Sequence, residues 1–439
     1  MKLQGTSRIN EQGHLEIGGK DTVELAASFG TPLFVYDTQM IRERAQAFHE
    51  AFRAQGVNYQ IAYASKAFSC LAMLQLADEL NLSLDVVSGG ELYTALEAGF
   101  PMERVHMHGN NKAPEEIDMA VANGVGCFVV DNFHELKLLS KAAHSHSKTV
   151  NVMLRTTPGV EAHTHDYIST GQEDSKFGFD LSSGQGDEAV AEVLADQAMH
   201  LLGFHCHIGS QIFDTTGFVM AVEKLYSYIA SWDETYGYAP EVVNVGGGFG
   251  IRYTEDDDPL APGTYIEDVI EAVAREAKQR NLSMPEIWIE PGRSLVGEAG
   301  TTLYTLGSEK DIPGVRRYLS VDGGMTDNIR PALYEAAYEG IIANRADEPA
   351  KTNYAIAGKC CESGDMLMWD LPLPDAVAGD LLAVFSTGAY GYAMASNYNR
   401  VPRPPVVFVE NEEARVVIQG ESYADLIKLD QPLHAPVKA

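Results

Sequence analysis

Eight short apolar runs, each breaking into polar or glycine-rich residues at its C-terminal end, constrain this chain more than any other feature. They read YQIAYASK, LSLDVVSGG, RVHMHGNN, GCFVVDN, VNVMLRTTPG, LLGFHCHIGS, VVNVGGGFG and EIWIEPGR, all between residues 59 and 293. Near-continuous apolar runs are the mark of parallel strands buried on both faces. Amphipathic helical patterns separate them. Over 37–56, Ile41, Ala45, Phe48 and Phe52 fall on one face, with Asp37 placed to cap and Gly56 to terminate; Ile266, Val269, Ile270, Val273 and Ala277 do the same over 266–277. Strand–helix alternation gives a parallel sheet. Eight units predict an α/β fold closed as a (β/α)8 barrel over 37–297, although eight units also suit an open doubly wound sheet.

After residue 298 the texture changes. TTLYTLGS, RYLSVDGG, TNYAIAG, DLLAVFSTG, PPVVFVE and ARVVIQG are short runs with turn residues between them. They predict a mostly β second domain over 298–439. Residues 1–36 are assigned to it as well, HLEIGG being read as one of its strands. The stretch 158–186 reads as a long loop, a kind of segment that often carries function. Two domains also suit a chain of 439 residues.

Charge narrows the function. With 62 Asp and Glu against 32 Lys and Arg, the formal net charge is −30. Nucleic acid and anionic membrane surfaces are therefore poor partners. An anionic ligand would have to find local cations or backbone N–H groups. Five scattered cysteines suit a reducing compartment. No apolar run suggests a secretory signal or a membrane span, so a cytoplasmic protein is expected.

In a barrel the C-terminal strand ends converge on one mouth. Here they offer Lys66, Asp85, Ser88, His108, Arg155, His205, His207, Ser210, Gly246 to Gly248, Glu290 and Arg293. A lysine at a strand end is expected to be partly desolvated, which lowers an amine's pKa and suits it to Schiff-base formation. Consecutive glycines let backbone N–H groups approach a phosphate. GGGFG is not a dinucleotide fingerprint, because the last place of G-x-G-x-x-G counted from Gly246 is Ile251. Lys66, the glycine turn and the lone carboxylate Glu290 together suggest pyridoxal phosphate. The rival is zinc in a hydrolase, held by His205 and His207 of HCHIGS, or by His163, His165 and Asp166 of HTHD. The segment AGKCCESGD (357–365) sets two cysteines side by side. They read either as a buried pair of small thiols in a strand or as one thiol held beside a charged substrate.

The motifs YASKA, DVVSGGEL, HGNNK, SKFGF, HCHIGSQ, GGGFG and EPGR resemble those of the fold-type III pyridoxal-phosphate decarboxylases. MTDNIRPALY (325–334), CESGD (361–365) and GAYGYAMASNYNRVPRP (388–404) are similar to the diaminopimelate decarboxylase branch of that family. The resemblance runs in order from residue 5 to about 430. It implies an alanine-racemase-like barrel with a β domain, and decarboxylation of meso-2,6-diaminoheptanedioate to L-lysine in the last step of lysine synthesis. It further implies that Lys66 forms the internal aldimine and that His207 stacks on the cofactor ring. Ser210, Gly247, Gly248 and Tyr390 would bind the phosphate, with Gly292 and Arg293 also at the cofactor, and Glu290 would pair with the pyridine nitrogen. Arg293, Arg330 and Tyr334 would hold the distal carboxylate, Tyr390 also lining the substrate site, and Glu362 would bind the ammonium group. Cys361 would be the proton donor, reaching the substrate from the partner subunit of a homodimer. Cys360 is left as a packing residue, and Asp85 and His108 as braces of the pocket. A related decarboxylase acting on another D-amino acid or on a diamine such as ornithine remains the alternative on this scaffold. A non-catalytic cofactor-binding barrel remains the alternative of another class.

Overall fold

The computed structural model describes residues 3–160 and 175–434. The chain divides into two compact units, one of residues 41–252 and 256–297, the other of residues 1–40, 253–255 and 298–439.

In the first unit the eight apolar runs form eight parallel strands: β1 (Tyr59–Ala64), β2 (Ser83–Val86), β3 (Val105–Met107), β4 (Cys127–Val130), β5 (Val150–Thr157), β6 (Met199–His205), β7 (Val242–Asn244) and β8 (Glu286–Ile289). Each pairs with the next, and β8 returns to β1 through Ile287 opposite Tyr59 and Ile289 opposite Ile61. The sheet is closed, so the open doubly wound alternative is set aside. Closure fixes which residues meet at the mouth: Ala64 lies beside Asp85, and His205 beside Asn244.

The helices follow their apolar faces. Thr38–Gln55 buries Ile41, Ala45, Phe48 and Phe52 completely or nearly so. The Asp37 carboxylate accepts from the Met40 N–H, and Gly56 follows at φ 66°, so capping and termination occur where the sequence places them. Pro262–Gln279 buries Ile266, Val269, Ile270, Val273 and Ala277 in the same way.

The second unit is built on a nine-stranded sheet. Its continuous path runs Met366–Leu373, Thr352–Ala357, Arg316–Val321, Gly300–Ile312, Leu33–Asp37, Val406–Glu410 and Glu413–Ile418. Gly340–Ile342 joins through Leu381–Val384, which pairs with Gly300–Ile312. The N-terminal contribution differs in detail from expectation. HLEIGG does form a strand, Leu15–Ile17, but it pairs with Arg8–Ile9 and Lys20–Asp21 in a separate three-stranded sheet. It still reaches the core of the unit, where Leu15 and Ile17 pack with Leu33, Val35, Leu303, Ala383, Val407 and Val409. The segment that enters the large sheet is instead LFVYD (Leu33–Asp37), all five residues buried. The loop read over 158–186 is shorter than expected at its C-terminal end, because Phe179–Asp180 pairs with β5 and Gln185 opens a helix to Ala195. His163, His165 and Asp166 lie outside the described residues.

Candidate active site

The mouth of the barrel is organised around one buried carboxylate. Glu290 follows β8 and is 7% exposed. Its Oε2 lies 3.0 Å from His205 Nε2, its Oε1 lies 2.9 Å from His108 Nε2, and the Asn244 side-chain amide donates to Oε1 at 2.7 Å. These three partners come from the ends of β6, β3 and β7, so barrel closure itself assembles them. Burial pushes the Glu290 carboxyl up, but the imidazoles of His108 and His205 outweigh it and hold the group well below the usual carboxylate range. Glu290 is thus kept as an anion in the interior, a state that requires partners of this kind.

Asp85, at the end of β2, shows the opposite balance. Burial raises its carboxyl to about 6, with His108 and Lys66 opposing and Glu290 reinforcing the shift. His108 Nε2 stands 3.8 Å from its Oδ1. Asp85 and His108 therefore do sit together against Glu290.

Lys66 occupies the turn Ser65–Ala67 that follows β1. Its neighbours Ser65 and Ala67 are buried, and the Ser65 hydroxyl donates to the Asp85 carbonyl at 2.8 Å. Lys66 itself is exposed, contrary to the expected desolvated lysine, because the turn leaves its side chain at the open end of the strand.

His205 and His207 do not act as an H-x-H pair. The strand ends at His205, and His207 lies beyond it in the loop. There its Nδ1 accepts the N–H of Gly247 at 3.2 Å. Burial, followed by the charges of Lys66 and Arg155, holds the His207 imidazole well below its ordinary pKa. It is therefore neutral, with its proton on Nε2. The group spaced for a metal among the described residues is instead His108, His205 and Glu290, whose ligating atoms lie within 4.8 Å of one another. Its contacts are those of two imidazoles sharing one carboxylate, as described above.

The glycine turn after β7 is tightly packed. Gly246 and Gly248 take φ of 73° and 99°, where side chains are disfavoured. A Cβ on Gly247 would meet the Glu290 carbonyl oxygen at 2.0 Å, and one on Gly248 would meet the Gly209 carbonyl oxygen at 2.2 Å. The Ile212 N–H donates to the Gly248 carbonyl, drawing the HCHIGSQ loop against the turn. Ser210, half-buried in that loop, accepts from the Arg293 guanidinium at 3.0 Å. Arg293 opens a short helix, Arg293–Val296, after Gly292, where an added Cβ would come within 3.0 Å of the Ala64 side chain. Two other strand-end candidates take structural positions: Ser88 caps the helix Gly89–Ala98 by accepting from the Glu91 N–H, and Arg155 lies 4.3 Å over the Phe177 ring.

In the second unit Arg330, Tyr334 and Tyr390 come together. Arg330 is 9% exposed and opens the helix Arg330–Tyr334. Its guanidinium carbon lies 5.5 Å from the Tyr253 and Tyr334 ring centres and 5.8 Å from that of Tyr390. The two cysteines are not a buried pair in a strand. They occupy the turn after Thr352–Ala357, where Cys361 is exposed and Cys360 half-buried. The exposed Cys361 takes its N–H to Asn399, and Glu362 beside it is exposed too. Burial and the Asp365 carboxylate push the Cys360 thiol up to about 11. Buried Asp365 anchors the turn, accepting the N–H groups of Cys360 at 2.8 Å and Met325 at 2.6 Å. CESGD is thereby tied to MTDNIRPALY across 40 residues of sequence.

Sequence reasoning missed Asn244, the contact of His205 with Glu290, Tyr253 and Tyr338. Asn244 had a signal: it sits two residues before Gly246 in an otherwise apolar strand, at interior period. Tyr253 and Tyr338 lay outside every motif and had none.

The chain as a whole is similar to proteins already known. Residues 38–297 match the model of the pyridoxal-dependent decarboxylase, pyridoxal binding domain. The chain is 66% identical to the diaminopimelate decarboxylase of Halalkalibacterium halodurans and 61% identical to that of Bacillus subtilis, each over the whole of both chains. A solved structure of the diaminopimelate decarboxylase of M. jannaschii in co-complex with L-lysine is 36% identical. It superposes with a TM-score of 0.91, covering 97% of this chain and 98% of the other.

The Asp85 shift gives a pH prediction. A carboxyl whose pKa is raised on folding is penalised when ionised, so its cost appears as pH rises from about 4 to about 6 and is constant above. In the cofactor-free protein, Asp85→Asn should melt at nearly the wild-type temperature at pH 4 and about 3 °C or more above it at pH 7. Thermal unfolding across this range checks it; a difference independent of pH would contradict the assignment.

Proposed function

The chain belongs to the diaminopimelate decarboxylases, and from that premise we propose how its own residues carry the reaction. The reaction is pyridoxal-phosphate-dependent decarboxylation of meso-2,6-diaminoheptanedioate to L-lysine and carbon dioxide. The observation that supports the site assignment most is the buried, ionised Glu290 at the mouth of a closed barrel, with a glycine turn and Lys66 at the neighbouring strand ends.

The residues present fit the cofactor. The turn Gly246–Gly248 excludes any Cβ, so its backbone can come close to a ligand. The Gly246 and Gly247 N–H groups donate to Asn244 Oδ1 and His207 Nδ1, and the Gly248 N–H and the Ser210 hydroxyl are the groups we assign to a phosphate. These groups would hold the phosphate, with Tyr390 assigned to it by resemblance and Gly292 and Arg293 to the cofactor. His207 offers a flat, neutral ring, and Lys66 an accessible amine for the aldehyde. Bound pyridoxal phosphate supplies an electron sink for the charge left when carbon dioxide departs. Glu290, held as an anion, is suited to keep the ring nitrogen protonated. His108, His205 and Asn244 stabilise that anion and fix its direction, and Asp85 braces His108.

Substrate selection needs cations against a net charge of −30. Arg330 and Arg293 would bind the distal, L-configured carboxylate, with Tyr334 and Tyr390 beside it, and Glu362 the ammonium group at that end. Cys361 would deliver the proton to the carbon that has lost carbon dioxide. Its exposure is consistent with action on a substrate held by a second copy of the chain, and we take the active form to be a homodimer. A cytoplasmic location is the reading that suits five free cysteines; no described helix is long and apolar enough to cross a membrane.

Two experiments test this. Supplied in parallel with meso-, LL- and DD-diaminopimelate, ornithine and D-lysine, the protein with pyridoxal phosphate should release carbon dioxide and form lysine from the meso isomer alone. Turnover of ornithine or D-lysine instead would overturn the distal-carboxylate assignment. Lys66→Ala and Cys361→Ala should each lower kcat by at least about 100-fold. Mixing the two should restore up to about a quarter of wild-type activity, the share expected of randomly assorted mixed dimers with one intact site. Mixed dimers shown to form but inactive would sink the shared site.

A further inference from the structure

Arg330 is a buried guanidinium with no carboxylate partner among the described residues. The Arg–carboxylate pairs elsewhere, such as Arg345 with Asp380 and Arg403 with Glu421, involve arginines that are more exposed. Arg330 instead stands among aromatic rings, and one polar atom grips it: its Nε–H donates to the Tyr338 hydroxyl at 2.9 Å. Tyr338 is 6% exposed. Its hydroxyl lies 3.5 Å from Asn328 Oδ1 and can donate to it, and the same Oδ1 accepts the Arg330 N–H at 3.3 Å. The Tyr253 ring stands edge-on to Tyr338 at 5.4 Å and faces the guanidinium as well.

This arrangement has a geometric consequence. A guanidinium presents a carboxylate with two usable edges, one made by Nε and one terminal nitrogen, the other by the two terminal nitrogens. With Nε committed to Tyr338, the first edge is closed and the second remains. The rings of Tyr253, Tyr334 and Tyr390 lie within cation–π range and restrict where the plane can swing.

We propose that Tyr338, braced by Asn328 and Tyr253, is a positioning residue for substrate specificity: it fixes the Arg330 guanidinium so that only its terminal edge is offered to the distal carboxylate. The proposal rests on the assignment of Arg330 to that carboxylate. Tyr338 touches neither substrate nor reacting atoms and acts through Arg330. Removing its hydroxyl leaves the Nε–H buried without its acceptor and frees the plane to rotate, weakening carboxylate recognition while sparing the chemical step.

The test compares two ligands on the holoenzyme by calorimetry and inhibition. L-lysine carries the L-configured carboxylate; 1,5-diaminopentane carries none. Tyr338→Phe should weaken L-lysine binding about tenfold and 1,5-diaminopentane less than about twofold, with KM for meso-diaminopimelate raised by the same factor as lysine and kcat nearly unchanged. Tyr338→His, which restores an acceptor nitrogen, should bring L-lysine binding back to within about threefold of wild type. Equal weakening of both ligands, unchanged lysine binding, a His variant as weak as the Phe variant, or a loss confined to kcat would overturn the proposal. Arg330→Gln separates the two levels. If it leaves lysine binding intact, the carboxylate assignment itself falls; if it weakens lysine while Tyr338→Phe does not, only the positioning role falls.

Discussion

The contact on which the barrel mouth depends is that of Glu290 with two imidazoles. A carboxylate 7% exposed is expensive to keep ionised unless its oxygens are engaged. His108, His205 and Asn244 engage both, and each reaches Glu290 only because its strand holds a set register in a closed barrel. The same closure places Lys66 one turn beyond β1, beside Asp85, and draws the Gly246–Gly248 turn against Glu290. The cluster around Glu290 is thus a property of the sheet.

A parallel logic governs the other charge. The chain is strongly acidic, yet its binding chemistry calls for cations. Arg330, the cation proposed to meet that need, is buried among tyrosines and has no carboxylate partner among the described residues. Aromatic faces stabilise a guanidinium without competing for its hydrogen-bonding edge, which a carboxylate partner would occupy.

The sequence was most legible where geometry repeats. Strand ends in a barrel share one mouth, so apolar runs ending in Lys66, Asp85, His108, His205 and Glu290 mark residues that lie near one another in the fold. The side of a strand on which a residue lies beyond the last paired position is not legible: the H-x-H spacing suggests that His205 and His207 could hold one zinc, but the strand stops at His205 and the loop turns His207 toward Gly247. Lys66 was expected to be desolvated, since burial of a turn cannot be read residue by residue. In the β unit, HLEIGG was correctly read as a strand, but its short partners Arg8–Ile9 and Lys20–Asp21 carry no apolar signal, so its separate sheet was hidden. Tyr253 meets Arg330 only through long-range folding, 77 residues away in sequence; Tyr338 lies 8 residues on, past the end of the helix Arg330–Tyr334, and neither carries a motif.

The central claim is that the protein holds Glu290 ionised so that it keeps the cofactor's ring nitrogen protonated. Its most direct test is nitrogen NMR of the holoenzyme loaded with pyridoxal phosphate labelled with 15N in the ring. The account predicts a pyridinium shift that persists across neutral pH in the wild type and moves toward the unprotonated value in Glu290→Gln. An unprotonated ring nitrogen in the wild-type holoenzyme would contradict it.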